Sequence, residues 1–202
     1  MKQFPFRPTL IDRLMVKHFR KALPKGQRRH FDSALSDLLV SEKQFLTDPV
    51  TNSQILFAAT VLCLYRRLRR LGNTDEKARA TLRHALCSLG RKTTAFFIRL
   101  TFAFARDPLQ HIRKYSQDRM HNAYGPSFQI RESEIHGGFV SEVHVCGYRT
   151  FLARHHALDL ASVLCEWDRV WIDALPDGIA FARPTTLATG GASCRFEFRR
   201  RE

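Results

Sequence analysis

The sequence predicts an α+β fold: an N-terminal helical bundle packed with a small antiparallel sheet of two hairpins, in the order β-β-α-β-β. Three observations predict it. Apolar residues at helical spacing, punctuated by caps and by Gly or Pro stops, fill most of residues 8–124. At Gly125-Pro126 the texture changes, and two alternating segments, each centred on a Gly-Gly pair, flank one more helical stretch. The charge changes at the same place. Residues 1–125 carry 24 Lys+Arg against 9 Asp+Glu, residues 126–202 carry 9 against 10, and no lysine follows Lys114. This divides the chain into a basic helical region, 1–125, and an α+β region, 126–202, that carries the candidate site. The two are read as one compact unit. Helices followed by hairpins belong to the α+β class.

In the first helical segment, "PTLIDRLMVKHFRKAL", Leu10, Leu14 and Phe19 recur near helical spacing and Pro24 follows. A second helix is expected over 29–46, before Pro49. A third spans 52–71, with Gly72 as its stop. It contains the longest uncharged apolar run, "ILFAATVLCLY", which is too short to cross a membrane and reads as buried core. Asn73 and Glu76 resemble a capping box that opens a fourth helix toward Phe104, with Gly90 as a break. Pro108 and Gly125 bracket a fifth. "SFQIRESEIHGGFVSEVHV" is a hairpin turning at His136-Gly137-Gly138. "FLARHHALDLASVLCEWDRVWIDAL" returns to helix, and residues 178–200 form the second hairpin, around Thr189-Gly190-Gly191.

The chain has 202 residues, a net charge of +14, 44% hydrophobic residues and 16 phenylalanines, enough apolar volume for a core and no disordered signature. The start lacks a signal-peptide pattern, and five cysteines without close pairing fit reduced thiols, so a cytoplasmic protein is expected. The basic half raises the question of an acidic partner. Arg66, Arg67, Arg69 and Arg70 in "YRRLRRLG" offer phosphate contacts, so nucleic acid stays an alternative partner, though no recognition motif accompanies them.

Chemistry-bearing residues concentrate after residue 145. Leu158, Ala161, Cys165, Asp168 and Ile172 fall on one helical stripe, and Leu160, Leu164, Trp167 and Trp171 on another. A carboxylate on an apolar stripe is costly unless paired, and its surroundings tune its pKa. Asp168 is therefore either an acid/base or the partner of an arginine. On the last strand Cys194 alternates onto the face of Phe196 and Phe198, opposite Arg195. Arg183, in line with Ile179 and Phe181, either pairs with Asp168, grips a substrate carboxylate or reaches to solvent. Thr185, Thr186, Gly190 and Gly191 offer hydroxyls and turn amides for an anion, or serve the turn alone. Cys146, Cys165 and Cys194, with a histidine or Asp168, could ligate a divalent metal, but their spacing lacks a C-x-x-C knuckle. A thiolate nucleophile would need a nearby base or cation, from His155, His156 or Arg183.

In combination, "NSQILFAATVLCLYRRLRRLGNTDEKA", "CGYRTF", "LCEWD" and "GIAFARPTTLATGGASCRFEF" resemble, in order, segments of the L-2-amino-thiazoline-4-carboxylic acid hydrolase family over most of residues 50–200. The most specific parts are C-x-x-D at 165–168 and T-L-A-x-G-G-x-x-C-x-F at 186–196. The resemblance implies a C–N hydrolase that opens a small cyclic amidine to an N-carbamoyl amino acid. It also implies that Cys146, Cys165, Asp168, Gly190, Gly191 and Cys194 occupy the family's recurrent positions. Catalysis is then expected from Cys165, Asp168 and Cys194, and binding of a small-molecule substrate from Arg183, Thr185, Thr186, Gly190, Gly191 and Cys146. One departure is Arg195, where the family usually has an acidic residue. The alternative function is a non-enzymatic small-molecule or metal-binding module with a basic helical face that docks a partner.

Overall fold

Asp48 caps the longest helix of the computed structural model, which describes residues 4–201. Its carboxylate accepts the backbone N–H groups of Val50 and Thr51, each at 3.0 Å, and Pro49 takes the first helical position, where no N–H is needed. The helix, α3 (Pro49–Arg70), is the axis of the bundle. α1 (Leu10–Arg20), α2 (Arg28–Ser41) and α4 (Asp75–Ser88) pack on it. The apolar run predicted as core is buried: Leu56, Ala58, Ala59, Val61 and Leu64 have no exposure.

Two details of the bundle differ from expectation. In α1 the buried positions are Asp12, Met15 and Phe19, whereas Leu10 and Leu14 are exposed. Thr9 and Asp12 form a capping box, and Asp12 also accepts a hydrogen bond from Ser53 Oγ at 3.0 Å, which rotates this polar corner inward and the two leucines out. At α4 the N-cap is Thr74, not Asn73. The Asn73 amide instead caps α3 by donating to the Leu68 carbonyl at 2.9 Å. The predicted break at Gly90 is present, with φ +65, and separates α4 from α5 (Arg91–Ala103). α5 buries no residue fully and leaves Phe96, Phe97 and Leu100 exposed, as is Phe104 at its C-cap.

α6 (Pro108–Arg119) is followed by a widened π turn, Met120–Tyr124, and then Gly125 with φ +56. β1 (Gln129–Ile135) and β2 (Gly138–Val145) form the first hairpin, turning on His136-Gly137. β3 (Ile179–Ala182) and β4 (Cys194–Arg200) form the second pair. Its connection is a long loop over 183–193 rather than a tight Gly-Gly turn. Arg183 therefore leaves the strand and is free to reach sideways.

The strand order is β1-β2-β4-β3, antiparallel throughout. The central seam pairs β2 with β4, from Gly138 opposite Arg199 to Val143 opposite Cys194. At Gly138 a Cβ would sit 1.9 Å from the carbonyl oxygen of Phe198, so only glycine fits.

Between the hairpins the predicted single helix is broken into α7 (Gly147–Arg154), α8 (Ala161–Cys165) and α9 (Asp168–Ile172). The predicted stripe through Leu158 is not continuous, and Leu158 is 43% exposed. α7, α8 and the turn between them add Phe151, Leu152, Leu160, Val163 and Leu164 to the bundle core. A smaller core lies under the sheet. Ile112, Phe139, Ile179 and Phe198 are its buried members, Trp171 and Phe181 pack beside them, and the rings of Phe139 and Phe198 stack at 4.9 Å.

The arginine tetrad of α3 is largely engaged within the chain. Arg66 donates to the His155 carbonyl, Arg67 to Gln27, and Arg69 to the Asn73 carbonyl. Among the described residues, no helix is long and apolar enough to cross a membrane.

Candidate functional site

The break between α8 and α9 places Cys165 at the end of one helix and Asp168 at the start of the next. The long 183–193 loop then brings an arginine to both. Arg183 Nη1 donates to Asp168 Oδ2 at 2.8 Å and to the Cys165 carbonyl at 3.3 Å, and its guanidinium lies over the Phe196 ring. Trp171 Nε1 donates to Asp168 Oδ1 at 3.2 Å. Both carboxyl oxygens are thus held. Burial nevertheless raises the Asp168 pKa, against the lowering pull of the Trp171 hydrogen bond and of Arg183 and Arg119. About a quarter of the Asp168 side chain (26%) still meets solvent, so the carboxyl is both desolvated and reachable.

The β2–β4 register brings the cysteines to the same place. Cys194 opens β4 opposite Val143, three residues before Cys146, which caps α7. Burial is the main cause that raises all three thiols. Cys165 is pushed up to about 12, with Asp168 and the other two cysteines adding to the rise. Cys194 is raised although the Leu187 N–H donates to its sulfur at 3.2 Å. Cys146 is raised although the backbone N–H groups of Arg149 and Tyr148 favour its thiolate. At neutral pH the three are thiols, not thiolates. Among the described residues, no group of three or more His, Cys, Asp and Glu is placed to hold a metal ion.

The loop beside Cys194 is organised by its own hydrogen bonds. The N–H of Gly191 and that of Thr189 both go to the Thr186 carbonyl, at 2.9 and 3.2 Å, and the Gly190 N–H goes to Leu187 at 3.4 Å. The hydroxyls of Thr186 and Thr189 meet at 2.9 Å. Gly190 takes φ +89, and a Cβ on Gly191 would come within 2.9 Å of the Thr186 carbonyl oxygen. The turn amides expected to hold an anion are therefore used to shape the loop, and Thr185 is exposed at its edge. Arg195 points to the other side of the sheet, as alternation requires, and pairs with Glu197 at 2.6 Å and Glu142 at 3.2 Å.

Three residues that the sequence reading passed over complete the cluster. Arg119 ends α6, with its guanidinium over the rings of Tyr115 and Tyr124. The π turn swings Tyr124 around onto it, and Gln54 of α3 fixes that turn by donating to the carbonyls of Ala123 and Tyr124, both at 2.9 Å. Tyr148 of α7 lies edge-on to Phe57 and Phe128, at 5.4 and 5.3 Å. Asp168 acts electrostatically on both tyrosines, whose phenols are raised chiefly by burial and remain protonated donors. Tyr115-x-x-x-Arg119, one helical turn apart, was the readable signal. Tyr124 and Tyr148 left none, because only tertiary packing joins them to Asp168.

Comparison with known proteins adds one finding. The family model described as L-2-amino-thiazoline-4-carboxylic acid hydrolase matches residues 53–198, which takes in every one of these groups. No curated protein and no solved structure matches.

Proposed function

Because the chain belongs to the L-2-amino-thiazoline-4-carboxylic acid hydrolase family, we propose that the cluster around Asp168 opens a small cyclic amidine acid by adding water. The observation that carries this is a reachable carboxyl with a raised pKa, steadied by Arg183 and Trp171, among thiols that stay protonated. A base poised above the ordinary carboxylate range suits proton transfer near neutrality.

In this reading Asp168 takes a proton from water as its oxygen bonds to the amidine carbon, C2. The tetrahedral carbon then carries the new oxygen, the amino group, the ring nitrogen and the ring sulfur. An N-carbamoyl product retains both C–N bonds, so the ring opens at C2–S. The bond count therefore replaces the expected C–N scission with C–S scission at the ring-opening step. Asp168 returns its proton to the departing sulfur, and the net change is the addition of one water. As water adds, the C=N electron pair moves onto the ring nitrogen, which takes up the second proton of the water, and the tyrosine hydroxyls, fixed by aromatic packing, are the donors available to that nitrogen. Cys165, Cys194 and Cys146 line the site as neutral thiols, so water is preferred to a thiolate as nucleophile.

The test is release of free thiol from 2-aminothiazoline-4-carboxylate, followed for wild type, Cys165→Ser and Cys194→Ser. Turnover within tenfold of wild type in both serine variants supports water as nucleophile. Its abolition in either one, with the fold intact, moves attack to that sulfur. No thiol release by wild type removes the hydrolase reading.

A further inference from the structure

We infer that Arg119, not Arg183, is the receptor for the substrate's carboxylate. The inference rests on the proposed reading only in taking that carboxylate as the anion; the geometry belongs to the chain. Arg183 is committed, with Nη1 on Asp168 and on the Cys165 carbonyl. Moving it to a substrate would strip Asp168 of its partner just as a second negative charge arrived.

Arg119 holds two phenols but no carboxylate among the described residues. Among the described residues, none of the ion pairs includes it. Its side-chain acceptors are phenol oxygens, that of Tyr115 at 3.1 Å from Nη1 and that of Tyr124, and among the described residues its buried Nε has no partner. An unsatisfied buried guanidinium nitrogen is costly and rare enough to require a cause. Surface snorkelling is not the cause here, since two rings hold the group in place. It stands close enough to Asp168 to lower that carboxyl's pKa, so an anion at Arg119 would lie beside the catalytic base. The result is two arginines for two carboxylates, each pair neutral. The flanking phenol rings of Tyr115 and Tyr124 suit a small flat heterocycle more than an extended acid.

The geometry also predicts the binding partner's limits. A planar fork favours a bidentate anion, so a carboxylate should bind and its carboxamide should not. Calorimetric titration with 2-aminothiazole-4-carboxylate, a flat analogue that cannot open by this route, tests this without turnover. Wild type is expected to bind it at least tenfold more tightly than the carboxamide. Arg119→Met should lose that preference while retaining the wild-type melting temperature. Arg119→Lys should recover part of it. In turnover, Arg119→Met should raise KM tenfold or more and leave kcat within a few-fold.

Equal carboxylate binding by wild type and Arg119→Met overturns the assignment. So does loss of carboxylate and carboxamide binding together, which marks a structural role, and so does wild type that fails to bind the carboxylate at millimolar concentration. Binding through Arg119 without thiol release from the thiazoline keeps the receptor and removes the hydrolase. Thiol release with KM unchanged in Arg119→Met does the reverse.

Discussion

Leu56 in α3 and Asp168 in α9 mark the two extremes of this molecule. Leu56 is fully buried among leucines, alanines and phenylalanines, and every neighbour agrees with it. Asp168 is a mostly buried carboxyl among two arginines, a tryptophan and three thiols. The bundle gains stability from dispersion and desolvation of apolar surface, and its parts are interchangeable within limits of volume. The Asp168 cluster has no such freedom. Its groups are costly to bury, and each is tolerated because a specific partner stands opposite. The contrast separates the apolar groups that stabilise the chain from the polar groups proposed to act on a substrate, although α7 and α8 contribute to both.

The strongest way to break this contrast is a paired substitution. Asp168→Asn should lower kcat by about 10²–10⁴-fold while the chain stays folded. Leu56→Ala should cost about 2–5 kcal/mol and leave the kcat of the folded fraction intact. Denaturant titration beside the thiol-release assay reads both. If Leu56→Ala reduced kcat as Asp168→Asn does, the two regions would be one coupled unit.

Gly138→Ala probes the sheet that carries Cys194. A methyl there collides with backbone rather than with a movable side chain, so a loss of about 3 kcal/mol or more is expected. Circular dichroism would follow it, and a variant as stable as wild type would show that the β2–β4 seam can shift.

The pH response sharpens the comparison through opposite signs. His155 packs against Glu42 and Arg154, with Arg66 nearby, and burial lowers its pKa below 6.5. The unfolded chain then takes up the proton first, so this contribution is lost as pH falls below about 6.5 toward the folded value. For Asp168 the folded pKa is raised. Its contribution is present below 3.8 and is lost as pH rises through the folded value. Melting temperatures of His155→Gln and Asp168→Asn, each subtracted from wild type across pH 4–8, should slope in opposite directions. The kcat/KM profile should fall on the acid side as Asp168 takes a proton, and should not rise toward pH 9, since Cys165 titrates at about 12. A rise there would signal a thiolate.

The smallest effect is expected at Arg195. Its ion pairs with Glu142 and Glu197 lie on the outer face of the sheet, where salt and solvent screen them. Arg195→Glu should leave the KM for 2-aminothiazoline-4-carboxylate within twofold. A larger change would link the outer face to the site.

How much was legible follows the same division. The helix start at Pro108 and the break at Gly90 were readable because a single residue's backbone chemistry decides each one, whereas α3 was placed from 52 although Asp48 and Pro49 start it. The α1 face was misread, because periodicity gives the apolar positions but not which of them the neighbours cover. A capping box at Thr9 and Asp12 outweighed two leucines. In the candidate cluster, the pairing of Arg183 with Asp168 was one of the alternatives that alternation and order offered. Arg119 left only its one-turn spacing from Tyr115, and Tyr124 and Tyr148 left nothing, since they come from the π turn and α7 and only the folded chain makes them neighbours.

The close approach at Gly138 reaches into the gene as well. All four glycine codons begin with GG, so the third base at this position is free to drift. Any change at the first two bases, other than to a stop, adds at least a Cβ where a carbonyl oxygen already stands. Among surviving sequences with this β2–β4 pairing, codon 138 should show ordinary silent variation and almost no other kind, with no chemistry at that residue to account for it.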